Sequence, residues 1–221
     1  DFFDHHQAAA SGVFQKEQDE VLGEVTWMAS PVTVLGFPVS LRMAGRDVGD
    51  RIGTEPPPLA GVRVVDLTGY IAGSYATSLL SDLGADVIKV ESPTGDGFRM
   101  LGGSFQAWNR GKRGIIVDLR IPEGREVVYE LVRGADVVAE NFRPGTAEKL
   151  GVGEEMLRGL RPSIVYLSVT GYGADGPMAT DPAFDPLVQT LTGAMSAQGT
   201  EGRPVYLRVA VADYAAAMLG C

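Results

Sequence analysis

The chain has 221 residues, 45% of them apolar and 21% charged, enough for one sizeable core plus a partial second unit. A formal charge of −9 argues against a general nucleic-acid binder but leaves room for a local basic pocket that takes a phosphorylated small molecule. A single cysteine, Cys221, rules out an internal disulfide or a thiolate metal cluster and fits a reducing cytoplasm, and no apolar run reaches the ~18 residues a membrane span needs.

The opening DFFDHHQAAASG lacks the basic and apolar regions of a secretion signal. His5 and His6 are neighbours, so on a helix they point to different sides, and no third ligand stands nearby; no metal is expected. A short alternating stretch, GEVTWMASPVTV, leads to the polar linker GRDVGDRIGTEPPP. Pro56, Pro57 and Pro58 can neither continue a helix nor donate to a sheet, which places a boundary before Leu59 and divides the chain into 1–58 and 59–221.

Beyond Leu59 the period switches between strand and helix. VRVVDL (62–67) predicts a strand, and the segment 73–84 a helix with Ala76, Leu79, Leu80 and Leu83 on one face and Gly84 as its stop. DVIKVE (86–91) and GIIVDL (114–119) predict strands, 122–134 a helix, and 136–141 and 163–169 two more strands. Strands buried on both faces and joined by helices make an α/β protein with a parallel sheet.

The sequence GYGADG (171–176) follows the last of these strands and matches G-x-G-x-x-G. Pro177 comes straight after it, and no strand ending in an acid follows at dinucleotide-fold spacing, so a tight loop is expected there, not a nucleotide site. No G-K-[ST] loop, H-E-x-x-H or G-x-S-x-G occurs. Four other loops at strand ends are richer: TGYIAGS (68–74), ESPTGDGFR (91–99) with Arg99, WNRGKRG (108–114) and ENFRPGTAEKLG (140–151). Together they offer small residues, guanidinium groups and an aromatic, which suits an adenine-bearing phosphorylated cofactor.

The end of the chain, VYLRVAVADYAAAMLGC, holds Asp213 in an apolar run. Two readings stand: an N-cap for the alanine-rich helix, or a reactive carboxylate tuned by its apolar surroundings. The chain ends inside this helix without a stop signal, so a piece of a longer protein is expected.

Taken in order, LAGVRVVDLTGYIAGSYATSLLSDLGADVIKVESPTGD, WNRGKRGIIVDL, ADVVAENFRPGTAEKLG, SIVYLSVTGYGADGP, FDPLVQTLTGAMSAQG and VADYAAAMLG resemble the family III CoA-transferases, which include formyl-CoA and carnitine CoA-transferases and α-methylacyl-CoA racemases. The resemblance runs from 59 to 221 and implies a Rossmann-like large domain, here incomplete. Residues 1–58 resemble the closing segment of a preceding copy, which implies a tandem fusion. An interlocked homodimer or a fused pseudo-dimer is expected, acting on acyl-CoA and carboxylic acids without metal, membrane or nucleic acid.

On that resemblance Asp213 is the nucleophile, with an acyl anhydride and an aspartyl-CoA thioester as intermediates, and a second role as cap stays open. Asp185 stands where formyl-CoA transferase has a glutamate near the reacting carboxyl groups. The CoA contacts carry over to Tyr70, Ile71, Ala72, Val117, Arg120, Asn141, Phe142, Lys149, Leu150 and Phe184. Ile71 replaces a glutamine of formyl-CoA transferase, which points away from oxalate or formate. Ser92 replaces an arginine, which leaves adenine stacking to Arg99. The alternatives are a racemase of the same family, whose histidine position is Phe184 here, and a non-catalytic CoA-binding partner half.

Overall fold

The computed structural model describes residues 14–19, 21–28, 56–101, 103–172 and 178–221. His5, His6, most of the linker and the last four residues of GYGADG lie outside the described residues. Near the start, β1 (Phe14–Asp19) and β2 (Gly23–Met28) form an antiparallel hairpin. Its turn is closed by the Asp19 carboxylate, which accepts from the backbone N–H groups of Val21 and Leu22 at 2.7 and 2.8 Å.

The main sheet has five parallel strands: β3 (Arg63–Asp66), β4 (Asp86–Glu91), β5 (Arg113–Ile116), β6 (Val137–Glu140) and β7 (Val165–Ser168), in the order β5-β4-β3-β6-β7. The β-branched runs of β3, β4 and β6 fill its middle, with Val64, Val65, Val87 and Val138 fully or almost fully buried. From β3 the chain builds outward in one direction through β4 and β5, then returns to place β6 on β3's other side. The strand order therefore reverses between β3 and β6, where open α/β sheets form a crevice at their carboxyl ends.

Helices cover the sheet. α1 (Ala72–Asp82) follows β3, α2 (Ser104–Asn109) precedes β5, and α3 (Pro122–Arg133) joins β5 to β6. Short helices α4 (Thr146–Lys149) and α5 (Glu154–Leu160) lie between β6 and β7. After β7 come α6 (Asp185–Leu191), α7 (Ala194–Gln198) and α8 (Val211–Gly220). Pro122 opens α3, where a missing N–H costs nothing, and the helix buries Val128 and Val132. With Val65, Val138, Leu157 and Ile164 they make the main core, each side chain worth about 1.5–3 kcal/mol of burial. On the other side, Tyr75, Ala76 and Leu79 of α1 pack against Ala217 of α8.

Two of the three cations in the run 108–114 are spent inward, contrary to its reading as a ligand patch. Arg110 pairs with Asp82 at 2.5 Å and Lys112 with Asp66 at 2.8 Å, all four side chains buried, while Arg113 pairs with Asp86 at the surface. The acids that neutralise the run lie on α1, β3 and β4, far from it in sequence. Strand 114–119 also ends early, at Ile116, because the Asp118 carboxylate accepts from the Arg120 N–H at 3.0 Å and turns the chain.

Candidate active site

The site begins at the carboxyl end of β3. Asp66 is fully buried, and its carboxylate accepts from Thr68 N–H (2.9 Å), Thr68 Oγ1 (2.5 Å), Thr77 Oγ1 (2.8 Å) and Lys112 Nζ (2.8 Å). Burial alone would raise its pKa, but Lys112 and Lys89, with the hydrogen bonds from Lys112 and Thr68, outweigh burial and hold it below the usual value. Burial brings Lys112 down to about 8, against the pull of Asp66. Lys89, in the middle of β4, donates to Thr68 O at 2.8 Å and lies 3.3 Å from Asp96. This buried cluster fixes the start of the β3–α1 loop.

The next residue is clamped from across the crevice. Asn141, just after β6, accepts from Gly69 N–H and donates to Gly69 O, both at 2.8 Å. Tyr70 follows with φ +58°, the only non-glycine with positive φ among the described residues. A left-handed backbone costs an ordinary L-residue about 1–2 kcal/mol, and such strain gathers at functional sites. The Tyr70 ring stands edge-on to Phe98, 5.8 Å between centroids.

Two adjoining cavities open on either side of this loop. The larger, about 570 Å³, runs towards α6 and α8 and is lined by Tyr70, Ile71, Ala72, Phe184, Asp185 and Asp213 among others. The smaller, about 430 Å³, lies between the same loop and residues 92–97, with Val117, Arg120 and Leu150 on its wall. Tyr70, Asn141 and Phe142 line both. Eleven of the thirteen residues singled out by sequence thus meet around one junction.

Arg99 and Lys149 line neither cavity. The Arg99 guanidinium is bound to both oxygens of Glu91, at 2.6 and 2.5 Å, and lies 3.8 Å from the centroid of Phe105. Its loop is tied down by Asp96, whose carboxylate accepts from Phe98 N–H at 2.8 Å. Lys149 is exposed at the end of α4. Arg120 reaches the smaller cavity from the surface, its guanidinium paired with Asp118 at 2.8 and 2.7 Å.

Asp213 is the third residue of α8, and its side chain makes no capping bond; the position before the helix is Ala210. The capping reading, and the idea that Asp213 serves as cap and nucleophile together, are both corrected by this geometry. The acid that serves the helix start is Asp185, the first residue of α6, whose Oδ1 accepts from Ala212 N–H at 2.8 Å. Asp213 is left half-buried on the wall of the larger cavity. Burial, and secondarily the charge of Asp185, push its pKa up to about 6.

The sequence reading passed over Gln189, one turn beyond Asp185 and buried. Its Nε2 donates to Asp185 Oδ2 at 2.5 Å and to Leu207 O at 3.0 Å, and its Oε1 accepts from Leu207 N–H at 3.0 Å. The Asp185–Gln189 spacing of four was the available signal.

A five-stranded parallel sheet flanked by helices, with two acids and a strained loop gathered beside its reversal point, defines a Rossmann-like α/β unit. The chain belongs to CoA-transferase family III, whose sequence model matches residues 59–221. It is 44% identical over 173 residues to a succinate–glutarate CoA-transferase of Agrobacterium fabrum, a match covering 71% of this chain and 43% of the relative. It is 42% identical over 178 residues to a succinyl-CoA:mesaconate CoA-transferase of Haloarcula hispanica, covering 73% and 45%. Among solved structures, a hypothetical protein of Mycobacterium tuberculosis superposes with a TM-score of 0.71 at 39% identity, covering 75% of this chain and 49% of that one. The chain spans less than half the length of these relatives.

Proposed function

We propose that the complete protein moves CoA between an acyl-CoA donor and a carboxylic acid acceptor, with Asp213 as the covalent nucleophile. The observation that carries this reading is the position of Asp213: half-buried on the wall of the larger cavity, free of any capping bond, and next to a second acid that holds the helix start. A carboxylate relieved of part of its water is a stronger nucleophile towards a thioester. The smaller cavity, with Arg120 at its mouth, suits the nucleotide end of CoA, and the larger one the acyl end.

The bond changes balance without any outside reagent. An Asp213 oxygen attacks the thioester carbonyl and expels CoA thiolate, leaving a mixed anhydride. The thiolate attacks the Asp213 carbonyl carbon and releases the donor acid, leaving an aspartyl-CoA thioester. The acceptor carboxylate attacks that thioester, and the expelled thiolate takes the acceptor's acyl group, which frees Asp213. Racemisation is disfavoured because Phe184, at the position of the racemase histidine, has no proton to exchange.

The names of the relatives make succinyl-CoA the first donor to try. Complete protein incubated with it and quenched with hydroxylamine should carry a hydroxamate on Asp213, located by peptide mass spectrometry. Asp213→Asn breaks no capping bond, so it should fold and bind CoA while turnover falls at least ~10³-fold. An Asn variant that turns over normally would remove Asp213 from the chemistry.

A further inference from the structure

Asp213 reaches the cavity through a segment that the main sheet does not hold. Residues 201–210 approach α8 without joining any of the five strands. One side chain grips this approach. Gln189 exchanges a pair of hydrogen bonds with the backbone of Leu207, both at 3.0 Å, and its Nε2 also lies 3.4 Å from Val209 O. The same Nε2 donates to Asp185 Oδ2 at 2.5 Å, and Asp185 Oδ1 receives the N–H of Ala212 at 2.8 Å, the residue next to Asp213. Gln189 and Asp185 are both almost fully buried.

From this unbroken chain of contacts we infer that Gln189 is a positioning residue for Asp213, acting through Asp185 on one side and through Leu207 on the other. The inference rests on the transferase reading above. Few side chains can do both jobs from this place on α6. Glutamate has the reach and the acceptor but lacks the donor, and it sets a second carboxylate against Asp185. Asparagine has the amide but is one methylene short. Methionine fills the space and bonds to neither partner. Without the amide, Asp185 Oδ2 loses its donor and Leu207 loses its side-chain hold, which among the described residues leaves the approach to α8 only the backbone bond from Val205 N–H to Met195 O at 2.9 Å and lets the first turn that carries Asp213 shift. A shift of the nucleophile by about an ångström is enough to cost on the order of a hundredfold in rate.

The test uses the complete protein carrying Gln189→Met or Gln189→Glu, with succinyl-CoA as donor, next to Asp213→Asn. Gln189→Met should stay folded, lose at least about tenfold in kcat and keep KM for the donor within about twofold, because the contacts that bind CoA are untouched. Its Ala212 and Leu207 amides should exchange with deuterium faster than in the parent, while those of β3 and β6 stay protected. Gln189→Glu should also lose kcat but retain more of the Leu207 protection. A folded Gln189→Met with parental kcat, or one whose loss lies wholly in KM, overturns the inference, as does unchanged exchange at Ala212. If the Met variant does not fold, the Glu variant decides on the same measures. Normal turnover by Asp213→Asn would instead sink the transferase reading, and Ala212 exchange would still report whether Gln189 holds the start of α8.

Discussion

Asp213 holds its proton to higher pH than a surface aspartate because burial penalises its charge and Asp185 adds to the penalty. Two pH effects of opposite sense follow. The anion is the nucleophile, so kcat/KM should rise through pH ~6 with a single ionisation on the acid limb, and a profile flat from pH 5 to 8 would contradict this. For stability, the folded pKa is about 6 against 3.8 for the ordinary group. The folded state therefore binds more proton than the unfolded one between those values, and this group's contribution to stability falls as pH rises through that window. Asp213→Asn should remove that slope, which denaturant melts at pH 4 and pH 7 will read.

At the level of elements, α1 depends on how closely it approaches the loop before it. A β-carbon added at Gly73 would lie 2.5 Å from Thr68 Cγ2 and 3.2 Å from Asn141 Cγ. Gly73→Ala should therefore cost about 1–3 kcal/mol despite alanine's better helix propensity, seen as a lower midpoint in denaturant. The small residues of TGYIAGS were read from sequence as room for a ligand, but Gly73 serves packing between α1, Thr68 and Asn141. The elements themselves were largely legible. DVIKVE is a strand over its whole length, and the helices predicted at 73–84 and 122–134 run over Ala72–Asp82 and Pro122–Arg133. Periodicity reports burial but not the identity of partners, so Lys89 and Lys112 showed their charge and not the acids they answer. Asp213 stood out because an acid in an apolar run is conspicuous. The bond from Ala212 to Asp185 was hidden because it crosses 27 residues from one helix to another.

For the whole molecule, the alternation of strand and helix was enough to predict a parallel α/β sheet, and the crevice follows from where the order reverses. The short helices α4 to α7 were not predicted, since pieces of four to seven residues carry too few periods to read. The outer strands of the main sheet leave Ile116 on β5 and Val165 on β7 well exposed, and Leu191, Met218 and Leu219 add to the open apolar surface. Such edges and patches recruit neighbours. The 221-residue chain produced alone should therefore self-associate in size-exclusion chromatography with light scattering. A monodisperse monomer at high concentration would show that these surfaces need no cover.

The backbone at Tyr70 has a consequence for how this sequence responds to selection. Glycine or asparagine would sit at φ +58° with less strain, so a search for thermal robustness has an easy gain there. Either change would remove one of the two aromatic rings, Tyr70 and Phe142, that line both cavities. Screens for heat tolerance and screens for turnover should thus pull this position in opposite directions.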